Sequence, residues 1–213
     1  MSIGAAIEDV YKAFSDVEKP PFVDGCMCCM TADEYETLTA KPLRELTAGE
    51  LDKYAGSVML TMGSEDDYPY FLPRILELSV EEGPGWTTDI EITAEKLRMA
   101  GFERCSDERQ TAVKNLWLAV IREKSSPDND PELVDFRSSE IGTWLGAATL
   151  IPISVSPLLT AIETASEVIR ELYDYNLKTI FQGRLDNAFL KEPNEVQAEI
   201  TRWLRDRLQA SIK

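Results

Sequence analysis

Three cysteines stand close together in the run Gly25-Cys26-Met27-Cys28-Cys29-Met30. Cys26 and Cys29 have C-x-x-C spacing, which can supply half of a tetrahedral zinc site. The only other cysteine is Cys105, and the chain has no histidine. A four-thiolate site would have to combine Cys26, Cys28, Cys29 and Cys105. Asp24 or a partner chain is the alternative source of a fourth ligand. Zinc is thus the one cofactor the residues bring into view. Without it, the run is a loop whose thiols and methionines pack as small apolar groups. Thioredoxin-like chemistry would need a βαβ surround, which the pattern lacks.

Acids form the second group: Asp33, Glu34, Glu36, Glu65, Asp66, Asp67, Glu81 and Glu82. A carboxylate pair can work as acid and base on a glycoside or hold a divalent metal. Either use needs a concave site, and no calcium-loop spacing occurs. Helix N-termini and solvated faces account for most of these positions. The same side chains also suit a basic protein partner. Aromatics follow them directly in Tyr68-Pro69-Tyr70-Phe71-Leu72-Pro73-Arg74, a composition shared by binding hot spots and by helix crossings. The expected partner-facing set is Glu34, Glu65, Asp66, Asp67, Tyr68, Tyr70, Glu81 and Glu82. Arg74 is expected to pair with a nearby carboxylate.

Whole mechanistic classes are missing. Without histidine, Ser-His-Asp and Cys-His catalysis are excluded. No phosphate-binding loop, dinucleotide fingerprint, nucleophile elbow or zincin motif occurs. The chain has 213 residues, 38 acidic and 22 basic, for a net charge of -16. Such a charge repels nucleic acid and anionic membrane faces and steers basic proteins inward. Residues 1–82 hold 17 acidic and 6 basic side chains, a net of -11. Most of the excess therefore precedes the Gly83-Pro84-Gly85 breaker.

Helices must position these groups, because apolar residues recur at three and four through most of the chain. Residues 3–15 make an amphipathic helix. Thr31 caps one to about Thr39. Thr47 and Glu50 form a capping box for another, reaching about Met62. Gly63 and Ser64 separate it from the Tyr68–Leu76 stretch, where Pro69 and Pro73 impose either a kink or a new start at Pro73. Further helices are expected near 90–99, 107–124, 132–150, 157–176 and 194–211, with a loop at 125–131. Convincing strands are few. The expected fold is all-α, an irregular multi-helix bundle or array. It forms one domain over 1–213, with a possible subdomain break near 83–85.

The 22 uncharged residues between Glu140 and Glu163 are long enough to span a bilayer. Pro152, Pro157 and five hydroxyl side chains argue instead for two buried segments joined by a turn. The acidic N-terminal stretch does not read as a secretory signal. A cytoplasmic protein with reduced thiols is expected.

The Cys26–Cys29 cluster, Leu43-Arg44-x-Leu46, Leu51-x-x-Tyr54-Ala55 and the stretch from Thr61 through Tyr70-Phe71-Leu72-Pro73-Arg74-Ile75-Leu76-Glu77-Leu78 together resemble a family of uncharacterised bacterial helical proteins. The likeness covers about residues 26–78. It implies a bacterial, cytoplasmic setting and carries no site residue. The leading expectation is a non-catalytic inhibitor or immunity protein that masks a basic partner such as a toxin. The alternative is a zinc-stabilised structural or regulatory module. An enzyme working through carboxylates is the third.

Overall fold

The computed structural model describes residues 1–83, 86, 88–126, 130–190 and 192–211, the side chains of residues 131, 210 and 211 aside. Among these residues there are ten α-helices and no strand, so the all-α expectation holds. In chain order they are α1 (Ile3–Ala13), α2 (Ala32–Ala40), α3 (Ala48–Ser57), α4 (Tyr68–Glu81), α5 (Ile90–Met99), α6 (Asp107–Lys124), α7 (Val134–Ala148), α8 (Ser156–Ala161), α9 (Ser166–Tyr175) and α10 (Glu195–Ser211).

Local chemistry sets most helix starts. Ser2 accepts the Ala5 N–H at the head of α1. Thr31 with Glu34 and Thr47 with Glu50 close reciprocal capping boxes on α2 and α3, each satisfying two otherwise orphaned N–H groups. Ser106 caps α6 and Asn194 accepts the Gln197 N–H at α10.

Helix α6 lies at the centre. Helix α1 packs along it, as do α7 and α8. Helix α7 also packs on α5 and α9, and α10 on α9. Trp117 of α6 is fully buried and meets Trp144 of α7 edge-on at 4.8 Å, the geometry that the ring quadrupoles favour. Buried apolar side chains form one continuous cluster from Ile3 to Leu204.

Three boundaries depart from expectation. Helix α3 stops at Ser57 rather than near Met62, because Met59 is left-handed at φ 63°. Helix α4 runs unbroken through Pro73 from Tyr68 to Glu81. The helix expected over 157–176 is two, α8 and α9. Ser125, at the end of α6, donates to the Ala161 carbonyl and helps close α8 there.

The break expected near 83–85 lies largely outside the described residues, but α4 and α5 on its two sides are in contact. The uncharged 141–162 stretch forms the second half of α7, a turn and α8. Among the described residues, no helix is long and apolar enough to cross a membrane.

Candidate functional site

Two loops, one before α2 and one between α3 and α4, are zipped together. Gly25 and Met62 form an antiparallel bridge. Cys26 N–H donates to the Thr61 carbonyl at 2.9 Å, and Gly63 N–H to the Asp24 carbonyl at 2.7 Å. Gly25 is required by this closeness: a Cβ there would lie 2.8 Å from the Met62 Cα and 2.2 Å from the Tyr35 hydroxyl oxygen. Gly63 needs its positive φ of 58° to turn the chain back toward α4. From 38 residues away, the buried Lys96 ammonium of α5 donates to the Val58 carbonyl at 2.7 Å and fixes where the second loop begins. Burial lowers the pKa of that ammonium.

Between the loops runs an open groove of about 960 Å³. Its charged lining is Glu18, Asp24, Glu65, Asp66 and Asp67 against the single base Lys19. Its apolar lining includes Phe22 and Leu60, which are 69% and 67% exposed. Two large apolar side chains exposed in one groove offer a partner area to bury.

The expected partner-facing residues are only partly brought together. Glu65 and Asp66 are exposed in the groove. Asp67 also lines it, but its Oδ1 accepts from the Ser64 N–H and hydroxyl and from Tyr54, so it serves mainly to start α4. Tyr68 is 1% exposed, with its hydroxyl donating to the Thr93 carbonyl. It belongs to the core, which corrects its place in the partner-facing set. Tyr70 is half-buried, edge-on to Phe71.

Glu34 is tied to Lys53 and to its own capping box, which together pull its carboxyl down to about 2. Glu81 and Glu82 sit at the other end of α4, about 20 Å along the helix from Asp67. Arg74 does pair with carboxylates, Glu77 at 2.6 Å and Glu81 at 3.4 Å.

Sequence reading missed Glu18, Phe22 and Leu60 as site residues, because spacing alone cannot show that two distant loops face each other. The one available signal was an exposed-looking phenylalanine following Pro20-Pro21 in a loop.

The cysteine run forms the turn beside this groove. Cys26 and Cys28 are joined as a disulfide, with Cα atoms 5.3 Å apart, inside the range a disulfide needs. That differs from the expected reduced pair. In this turn the i,i+2 pair brings the two Sγ atoms within bonding reach. Cys29 is unpaired, its sulfur 3.8 Å from that of Cys28. The three sulfurs lie within 4.8 Å of one another. Cys105 is not among them and sits instead behind the Phe102–Arg104 turn, where burial pushes its thiol up. Only with that disulfide reduced would the cluster offer three of the four thiolate ligands that structural zinc takes.

No protein-family model, curated protein or solved structure matches the chain.

Proposed function

We propose that the chain is a binding protein whose acidic groove takes a basic, partly apolar segment of a protein partner. One observation carries this reading: Phe22 and Leu60 stand exposed between Glu18, Asp24, Glu65 and Asp66 in a single groove. Carboxylates steer a cationic partner in, and the two apolar side chains give it area to bury. The overall charge of -16 acts in the same direction. An immunity protein that covers a basic toxin is the concrete form of this proposal.

The test uses a fluorescent peptide of alternating lysine and leucine and, in parallel, capture of proteins from a bacterial lysate at low and high salt. Reversing Glu18, Glu65 and Asp66 to lysine should weaken peptide binding about ten-fold or more, since each exposed pair contributes about 0.2–1 kcal/mol and reversal adds repulsion. Reversing Glu81 and Glu82 should leave it unchanged. Equal losses from both sets would show that net charge, not the groove, attracts the peptide.

A zinc-stabilised module is the second reading, favoured by the three clustered sulfurs. Here zinc would be held by Cys26, Cys28 and Cys29 in the reduced chain, with a fourth ligand from outside the cluster. Chain purified under reducing conditions without chelator should then carry close to one equivalent of zinc, lost in Cys29→Ser and kept in Cys105→Ser. Metal below about a tenth of an equivalent removes this reading.

A further inference from the structure

Five sulfur atoms fall in five consecutive residues, Cys26-Met27-Cys28-Cys29-Met30. The three cysteine sulfurs lie within 4.8 Å of one another. The turn that gathers them is fixed by hydrogen bonds as well as by the disulfide. The Cys26 carbonyl accepts from the Cys29 N–H at 2.9 Å, the Met30 N–H at 3.3 Å and the Tyr35 hydroxyl at 3.3 Å. The Cys26 N–H is itself held by the Thr61 carbonyl. The sulfurs therefore stay grouped when the Cys26–Cys28 bond is reduced.

This donor set selects among metals. Structural zinc takes four ligands, and the chain has no histidine. Among the described residues, no carboxylate oxygen lies within 4.8 Å of all three sulfurs, and Cys105 is not among them. Hard cations need oxygen ligands. Three thiolates without a fourth donor suit a soft, monovalent metal, for which thiolate and thioether sulfur are the preferred ligands. At a metal–sulfur bond of about 2.3 Å, two sulfurs on one trigonal centre stand about 4 Å apart. The Cys28 and Cys29 sulfurs are 3.8 Å apart. Met27, 62% exposed, puts a further sulfur-bearing side chain on the surface of the same turn. Cys28 is exposed and Cys26 and Cys29 are half-buried, so a metal can enter from solvent.

We propose that the reduced cluster binds one cuprous ion through Cys26, Cys28 and Cys29. A dithiol reductant first gives two electrons and two protons to the Cys26–Cys28 disulfide and becomes a disulfide itself. The ion then takes three thiolates, displacing one proton from each thiol, with no change in its own oxidation state. The metal-bound and disulfide states exclude each other, so loading follows the redox state of the thiols. The site uses none of the groove carboxylates, and its failure would leave the protein-binding function untouched. It competes with the zinc reading, which takes the same sulfurs and a fourth ligand from outside the cluster.

The experiment reduces the full chain with a dithiol, desalts it without oxygen and titrates it with cuprous ion against a chromophoric cuprous chelator, with zinc in parallel. One equivalent of copper should bind, with three sulfurs around it by X-ray absorption. Cys28→Ser and Cys29→Ser, each checked for native circular dichroism, should weaken binding about ten-fold or more, since even changes around a metal ligand cost about 10–100-fold. Cys105→Ser should bind like the parent. Zinc should be lost on desalting. The proposal is overturned if the reduced chain takes no copper, or if the oxidised chain or Cys29→Ser binds it as tightly as the reduced parent. Zinc that stays bound at one equivalent would also overturn it, and would support the zinc reading instead.

Discussion

Replacing Trp117 by alanine is expected to cost about 3–5 kcal/mol of folding stability, the usual range for deleting a buried large aromatic. Trp117 is fully buried on the central helix α6 and stacks edge-on against Trp144. Removing it takes away the transfer free energy of the ring, the aromatic pair and the close packing where α6 meets α7. The neighbours are packed helices, which relax only in part, so the hole does not close cheaply. A domain of this kind has about 5–15 kcal/mol in all, so a large share goes. Urea unfolding followed by circular dichroism measures it: the midpoint should fall with little change in slope. A loss below about 1 kcal/mol would mean that α6 is not the centre of the core.

Glu91→Gln is expected to stabilise the chain in a pH-dependent way. Burial raises the Glu91 carboxyl from its ordinary 4.5 to about 7, against a smaller lowering by the Asn187 hydrogen bond. A group raised on folding favours the native state while protonated. Its contribution is fully present below pH 4.5 and is lost as pH rises through about 7. Glutamine mimics the protonated acid and keeps the Asn187 bond without ever charging. Parent and variant should therefore match near pH 4, while the variant should lead by about 3 kcal/mol at pH 8. Paired urea titrations at the two pH values give the difference directly. The same gap at both pH values would show that the change comes from packing and not from ionisation.

Much of the fold was legible where a signal is complete within a few residues. The Thr31–Glu34 and Thr47–Glu50 boxes identify the heads of α2 and α3 because each box is a four-residue event. Helix α6 was legible because Val113, Leu116, Trp117, Val120 and Ile121 recur at helical spacing and are all buried. The errors lie where a distant residue decides. Apolar spacing continues past Ser57, yet the left-handed Met59 and the Lys96 bond to Val58 end α3 there.

The spacing Leu158, Ile162, Ala165, Ile169 and Leu172 suits one helix as well as two, and Ser125 marks the break from another element. For the candidate site, Glu65 and Asp66 were visible as acids, but their groove depends on the Gly25–Met62 pairing, which has no local signature. Tyr68 reads like Tyr70 in sequence, and only the position of α5 separates a core tyrosine from a half-exposed one. Glu91 was invisible for a similar reason: an acid in the first turn of a helix is ordinarily solvated and favourable to the dipole.

The long reach between α1 and α6 has a consequence for how the chain is made. Ile3, Ile7 and Val10 leave the ribosome early, but α6, the surface they chiefly cover, begins at Asp107. At about 5–20 residues per second, the N-terminal helix waits several seconds with its apolar stripe uncovered. Helix α4 reaches it before α6 does, through Tyr11 and Glu77, and can shield part of that stripe. Only when Arg109 arrives to hold the Ala13 carbonyl and Asp16 is the end of α1 locked. Synthesis of this protein therefore has a vulnerable interval, set by topology, in which a chaperone or early collapse onto α4 must stand in for α6.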